Sequence, residues 1–467
     1  MPNQHQYFGH PRGLFLLFGT ELWERFSYYA MRAILVLYLT DTTINGGLGW
    51  STKDALDLYG TYTGLVYITP LIGGYLIGGY LADNYLGQRR SILIGGALMA
   101  IGQFTLALPA DALGLGSLHT FYLGLALLIA GNGLFKPNIS TMVGDLYQEG
   151  DNRRDGAFTI FYMGINLGAL IAGVVSGSVT TEFGWKAGFV AAGIGMLISL
   201  VMQMSLAQSW LGDIGREPAA KRDLAIKKSA QKQALTKEEV DRIKVILVMS
   251  LFTIVFWAGF EQAGGLMNIY TQQYTDRMIG SFEIPAAWFQ SLNPFFIITL
   301  APVLAVLWVK LGKREPNSPV KFALAMFFLA LGFLCMVGAV VEQSGDTSVK
   351  TSMLWLVGAF FFHTLGELCL SPIGLSLVTK LAPLRLASLM MGAWFGCNAI
   401  ANYVAGYVGS HVGELGAFAI FSGIAVTATV SGVILLLFSN QLVHWMHGAE
   451  SGSSTAEQIE EQQALVS

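Results

Sequence analysis

The 467-residue chain has little charge. Only 12% of its residues are Asp, Glu, Lys or Arg, about half the fraction of an ordinary soluble domain, while 53% are hydrophobic and mean hydropathy is +0.54. That balance excludes a soluble globular protein. Cysteine is scarce as well: Cys335, Cys369 and Cys397 all lie in apolar runs, which excludes a disulfide frame or a thiolate metal site. The seven histidines show no ligand spacing. Neither a nucleophile–base pair nor a continuous ring of pore residues is evident, so an enzyme and a channel both fit poorly, and no cofactor is expected. Alternating strand patterns are missing too, which speaks against a β-barrel. No cleavable leader is visible, because the first apolar run is too long and lacks a basic n-region; it reads as the first anchor. The net charge of −3 says little, since the distribution of charge matters more than its sum. No nucleic-acid partner and no required protein partner are expected.

What is present is a series of long apolar runs. A bilayer crossing takes about 20 apolar residues, and twelve spans can be read: about 14–40, 55–82, 91–108, 119–143, 157–177, 187–209, 243–269, 288–309, 320–341, 353–379, 386–409 and 416–440. The fold class is therefore an all-α polytopic membrane protein whose surroundings are membrane lipids. Its 55 glycines suit helices that pack closely in lipid. Residues 1–13 form an N-terminal lead, 14–209 a first six-helix bundle, 210–242 a charged linker, 243–440 a second six-helix bundle, and 441–467 a polar tail expected to be disordered.

Loop charge sets the orientation. The N-terminal lead and the loops after spans two, four, six, eight and ten hold 20 of the 27 Lys and Arg residues. The opposite loops hold only Lys53, Lys186, Arg277 and Lys350. The positive-inside rule then puts both termini in the cytoplasm and the protein in the inner (plasma) membrane. A weak internal repeat supports two halves. Leu86-Gly-Gln-Arg-Arg90 matches Leu311-Gly-Lys-Arg314, Lys136-Pro137 matches Ser371-Pro372, and Met163-Gly-Ile-Asn166 matches Phe395-Gly-Cys-Asn398, at offsets of 225, 235 and 232 residues. Parallel repeats joined by a basic loop are the organisation of a rocking transporter. Pro137 and Pro372 are each expected to break their helix.

Seven charged residues fall in the interior of spans, away from their ends: Glu21, Glu24, Arg25, Arg32, Lys136, Glu261 and Glu367. Unpaired, they would cost on the order of 20 kcal/mol together. At about 100° per residue, Glu21, Glu24, Arg25, Tyr28, Tyr29 and Arg32 share one side of the first span, while Trp23 and Phe26 point away. A brace in a soluble core or a permanent tie between helices would also satisfy such charges. All three bases lie in the first half and two of the acids in the second, so some pairs must bridge the halves. A bridging pair that a substrate or proton can break is a gate. Lys136 sits in the interrupted stretch Gly131-Asn-Gly-Leu-Phe-Lys-Pro-Asn138, and a lysine with an arginine suits a carboxylate. Glu367 suits an ammonium group, so the cavity would take a zwitterion. Trp257, Trp394, Tyr29 and Tyr67 could wall pockets for varied side chains or could be ordinary packing. His363, one turn before Glu367, could tune it or be structural.

These residues carry a resemblance. Glu21-x-x-Glu24-Arg25-Phe26-x-Tyr28-Tyr29 is similar to the ExxERFxYY signature of the proton-coupled oligopeptide transporter family, within the major facilitator superfamily. Gly78-Gly79-x-x-Ala82-Asp83-x-x-x-Gly87 and Phe161-Tyr162-x-x-Ile165-Asn166-x-Gly168 resemble two further family patterns. Phe135-Lys136-Pro137-Asn138, Glu261-Gln262 and Gly366-Glu367-x-x-x-Ser371-Pro372 also match. The resemblance implies a symporter that imports di- and tripeptides by alternating access, with protons as the coupling ion. It implies that Arg32 and Lys136 hold the peptide carboxylate, and that Glu367, Asn166 and Asn293 hold the amino terminus. Tyr29, Tyr67, Trp257, Ser371 and Trp394 would line the site. Arg32 with Glu261 would close an outer gate, and Lys136 with Glu367 an inner one. Glu21, Glu24, Arg25 and Glu261 would couple protons. Two departures from the pattern stand out. The linker is too short and too charged for the extra hairpin common in bacterial members, and it reads as an amphipathic surface helix instead. The second span lacks the histidine of animal members, which leaves coupling to carboxylates. Transport of another small anion such as nitrate on the same scaffold is the alternative.

Overall fold

The computed structural model describes residues 6–72, 82–109, 112–148, 151, 153–218, 235–383 and 386–449. Residues 219–234 of the linker, the tail from 450 onward, residues 1–5, and Gly78-Gly79 of the second motif lie outside the described residues, and with 219–234 goes the expected amphipathic linker helix.

Thirteen α-helices are described: α1 Arg12–Thr40, α2 Thr52–Ile72, α3 Gln88–Ala107, α4 Ser117–Asp145, α5 Arg153–Phe183, α6 Trp185–Leu211, α7 Lys237–Phe260, α8 Leu266–Tyr274, α9 Leu292–Leu311, α10 Ser318–Glu342, α11 Met353–Leu381, α12 Ala387–Ser410 and α13 Val412–Trp445. Among the described residues, nine helices are long and apolar enough to cross a membrane, with the continuous stretch Lys237–Tyr274 counted once. The helix α1 fails that test because it carries the charged face described above, not because it is short. At 1.5 Å per residue its 29 residues reach roughly 44 Å.

Helix ends follow local chemistry. Thr236 and Glu239 form a reciprocal capping box at the start of α7. Asn317 caps α10 by accepting from Val320 N. A tight turn joins α5 to α6 at Gly184, whose φ of +82° lies in the region a side chain disfavours. Three interior details differ from the sequence reading. The span read at 243–269 is broken: α7 stops at Phe260, a 3₁₀ turn covers Glu261–Ala263, and α8 starts at Leu266. The pair Gly264-Gly265 allows this, since a side chain on Gly264 would run into Tyr59 and Arg32. Conversely, α4 runs through Pro137 and α11 through Pro372 without ending. One missing backbone bond costs less than stopping a helix in lipid. Among the described residues the strands are three two-residue pairs, including an N-terminal hairpin of Gln6–Tyr7 with His10–Pro11 that precedes α1. The last helix also runs to Trp445, five residues into the stretch read as tail.

Packing is by neighbours that leave room for the site. The central helix α1 lies against α5 and α6, α3 lies against α4 and α6, and α2 against α4. In the second half α10 packs on α11 and α13, and α7 on α12, α13 and α11. The halves touch where α2 meets α12, and where α5 meets α9 and the turn Ala286–Ser291. Small residues permit both contacts. A methyl on Gly60 would lie 2.6 Å from Gly406 Cα, and one on Gly173 would lie 2.8 Å from Ala287 O.

Candidate functional site

The charged face of α1 is buried: Glu21, Glu24, Arg25 and Arg32 are each at most 8% exposed. Burying charges on this scale is tolerable only with partners, and each finds one. The Arg25 guanidinium grips the Glu24 carboxylate with Nε and Nη2, and its Nε stands 3.5 Å from Glu21 Oε1. Lys136 Nζ from α4 donates to Glu21 Oε1. Eleven residues further along, Arg32 Nη2 pairs with Glu261 Oε2 of the second half, and Arg32 Nε donates to Tyr59 Oη at 2.6 Å. The break in the chain after α7 presents Glu261 at that spot. Cations also lie over rings: Arg25 over Tyr28 at 5.0 Å and Arg32 over Tyr29 at 5.9 Å.

Four acids and three bases leave one negative charge over, and one acid here has no cation beside it. Among the described residues that acid is Glu367 on α11, which is 8% exposed. Its Oε2 accepts from Asn293 Nδ2 at 2.8 Å, and Asn293 also donates to Thr364 Oγ1 at 3.1 Å. A hydrogen bond from a neutral amide steadies a carboxylate but leaves its charge uncompensated.

Glu367 and Arg32 face the same space. A cavity of about 270 Å³ between the halves is lined by Arg32, Glu367, Tyr29, Asn166, Trp257, Asn293, Ser371 and Trp394, among others. One water needs roughly 10–15 Å³ on that measure, so the cavity admits a molecule many times larger. Most of its wall is aromatic or aliphatic, with a few polar groups at fixed positions, as small-molecule sites usually are. A second cavity, of about 630 Å³, is lined by Arg25, Tyr67, Lys136 and Phe395. Phe395 lines both cavities.

The sequence-predicted residues therefore divide. Tyr29, Arg32, Asn166, Trp257, Asn293, Glu367, Ser371 and Trp394 come together in the first cavity. Tyr67 and Lys136 do not; they line the second. The pair expected between Lys136 and Glu367 is not made in this conformation, because the lysine is taken by Glu21 and the carboxylate by Asn293. The pair between Arg32 and Glu261 is made. His363 lies against Phe333, with ring centroids 4.7 Å apart, and neither ring nitrogen has a partner among the described residues. Sequence reasoning missed Tyr59, which holds Arg32, and Gln290, whose Nε2 donates to Ala263 O at 2.7 Å on the cavity wall. No motif marked either residue, since each acts through a tertiary contact.

Helices packed around an interior cavity, with intramembrane charges from both halves, define a membrane transporter. Comparison with known proteins gives the family: a profile of the POT family matches residues 89–211 and 213–418, and the chain belongs to that family. An uncharacterized transporter, YclF, from Bacillus subtilis is 37% identical over 95% of this chain and 97% of its own. The peptide transporter YePEPT of Yersinia enterocolitica is 36% identical over 88% of this chain and 90% of its own. A di-/tripeptide transporter of Lactococcus lactis subsp. cremoris is 33% identical over 94% and 97%. Among solved structures, a peptide transporter POT in complex with sulfate superposes with a TM-score of 0.85 at 36% identity, covering 95% of this chain and 97% of that one. A POT family transporter in complex with 5-aminolevulinic acid gives 0.84 at 30% identity, covering 94% and 98%.

Proposed function

We propose that the protein is a proton-coupled symporter that imports di- and tripeptides by alternating access. The observation that carries this reading is one cavity bearing Arg32 on one side and the cation-free Glu367 on another. A peptide's ammonium group can supply the charge that Glu367 lacks, while its carboxylate competes with Glu261 for Arg32. Relatives named as peptide and di-/tripeptide transporters support the substrate class. So does a relative bound to 5-aminolevulinic acid, a small molecule with an amine and a carboxylate.

In this reading Glu367, with Asn293 and Asn166, holds the amino terminus. Arg32 holds the carboxylate, joined by Lys136 once the second cavity closes. Tyr29, Tyr67, Trp257, Ser371 and Trp394 shape the space between. Glu21, Glu24, Arg25 and Glu261 carry the coupling: a proton on a carboxylate removes one gate charge, and the freed cation takes the peptide. Two ligands then bias one equilibrium between two states. Arg32 with Glu261 is the outer gate, closed here, and Lys136 with Glu367 the inner one, open here. The helices α1, α2 and α12 complete twelve spans, in bundles of residues 14–209 and 243–440 joined by the linker 210–242, with both termini cytoplasmic in the inner (plasma) membrane.

The test is uptake of a labelled dipeptide into proteoliposomes under an imposed inward proton gradient, with nitrate as competitor. Uptake that follows the gradient and resists millimolar nitrate is the expected result. Uptake that ignores the gradient, or that nitrate blocks, overturns the reading.

A further inference from the structure

Behind the charged face of α1 lies a pocket of about 10 Å³, close to what one water needs. Its lining includes Glu24, Ser27 and Tyr28 of α1, Tyr62 and Val66 of α2, Gln103 of α3 and Asn132 of α4. Three of these residues each carry a buried polar atom with no hydrogen-bond partner among the described residues: Tyr28 Oη, Gln103 Oε1 and Asn132 Oδ1. Their other polar atoms are fixed. Gln103 Nε2 donates to Ser27 O at 3.2 Å, and Asn132 Nδ2 donates to Val66 O at 2.8 Å. The amide oxygens are thereby oriented as acceptors. Buried polar groups left unpaired are costly, and several rarely converge by accident.

We propose that this pocket is a built water site whose occupant holds Glu24 ready to take a proton, with Gln103 and Asn132 as positioning residues. The inference rests on the proton-coupled reading above. The hydrogen-bond inventory fixes the water's orientation. Its two hydrogens go to Gln103 Oε1 and Asn132 Oδ1, so toward Glu24 and Tyr28 it presents only lone pairs. It can accept from the O–H of protonated Glu24, and it has no hydrogen left for the carboxylate. The water can therefore hydrogen-bond the protonated acid only, while the fork from Arg25 holds the carboxylate. The charged and titratable groups around Glu24 are Arg25, Glu21 and Tyr28 on its own helix and Tyr62 on α2, with Lys136 of α4 reaching Glu21. In its place α3 brings the neutral Gln103.

The water also has a route outward. Tyr28, Val66 and Asn132 line both this pocket and the second, larger cavity, so one thin wall separates them. A hydronium formed at the site gives one proton to the Glu24 carboxylate and is left as neutral water. On release the protonated Glu24 returns its proton to the water, which passes one of its own to solvent in the larger cavity. No other reactant is required.

The test is Gln103→Met, which keeps the side-chain volume and removes the acceptor, with Tyr28→Phe as a second variant. Driven uptake and pH-clamped counterflow are measured in proteoliposomes over a pH series. Losing Gln103 Oε1 frees a water hydrogen for the Glu24 carboxylate. The half-maximal pH of driven uptake should then fall by roughly half to one unit, the size one hydrogen bond makes, with counterflow within twofold of wild type. An unchanged or alkaline-shifted profile with counterflow intact overturns the inference. If counterflow fails in Gln103→Met, Tyr28→Phe decides: it leaves both amide acceptors in place and removes a competing donor, so no acid shift is expected, and an acid shift overturns the inference. If the wild type itself shows no gradient-driven uptake, the functional reading fails instead.

Discussion

At the scale of single residues, the site is an arrangement of four buried acids, two buried arginines and the half-buried Lys136. Each base is committed: Arg25 to Glu24 and Glu21, Lys136 to Glu21, and Arg32 to Glu261 and Tyr59. Removing one partner of such a pair leaves a buried charge that costs about 3–5 kcal/mol. Glu261→Gln should therefore leave Arg32 seeking an anion. Calorimetry on the purified variant should find dipeptides bound several-fold more tightly than by wild type, with C-terminal amides unchanged. Equal gains for both would show that Arg32 does not read the carboxylate. The sequence made the charged face legible, because a helix repeats every 3.6 residues and apolar surroundings make charges conspicuous. It did not make the partners legible. Lys136 and Glu21 stand 115 positions apart, and only the approach of α4 to α1 puts them in contact.

At the scale of elements, hydrophobic runs located the helices to within a few residues, since lipid demands length and apolarity of each span. Interruptions were harder to read. Proline looked like a break and was not one, while Gly264-Gly265 looked unremarkable and delivers Glu261 to Arg32. Close contacts between the halves are also an element-scale property. The approach of α2 to α12 leaves no room for a side chain at Gly60 or Gly406. In the orientation proposed above this contact would lie on the outer side, and so would the packing of α5 on the turn Ala286–Ser291. Gly406→Val should wedge the outer contact apart. The buried Ala287, replaced by cysteine as a reporter in a background without Cys335, Cys369 and Cys397, should then react faster with an impermeant thiol reagent added outside. A labelling rate unchanged from the Gly406 parent would mean that the contact does not hold the outer side closed.

At the scale of the whole molecule, the two halves meet around a cavity that neither could form alone. Matched motifs at near-constant offsets were the sign of two halves that could be read from the chain. The way they rest against each other was not, because a rocking pair has at least two arrangements and one sequence encodes both. The arrangement described here has Arg32 bound across the halves and, among the described residues, no cation on Glu367, which leaves the cavity short of one positive charge. That deficit is the central claim, and the occupant proposed for it is an N-terminal ammonium group. The most direct measurement is competition for labelled-dipeptide uptake by a free dipeptide and by its N-acetylated form, in wild type and in Glu367→Gln. The account predicts that wild type prefers the free dipeptide by at least tenfold, and that the preference collapses in Glu367→Gln as affinity for the free dipeptide falls toward that of the acetylated one. If both proteins discriminate equally, Glu367 does not hold the amino terminus and the account is wrong.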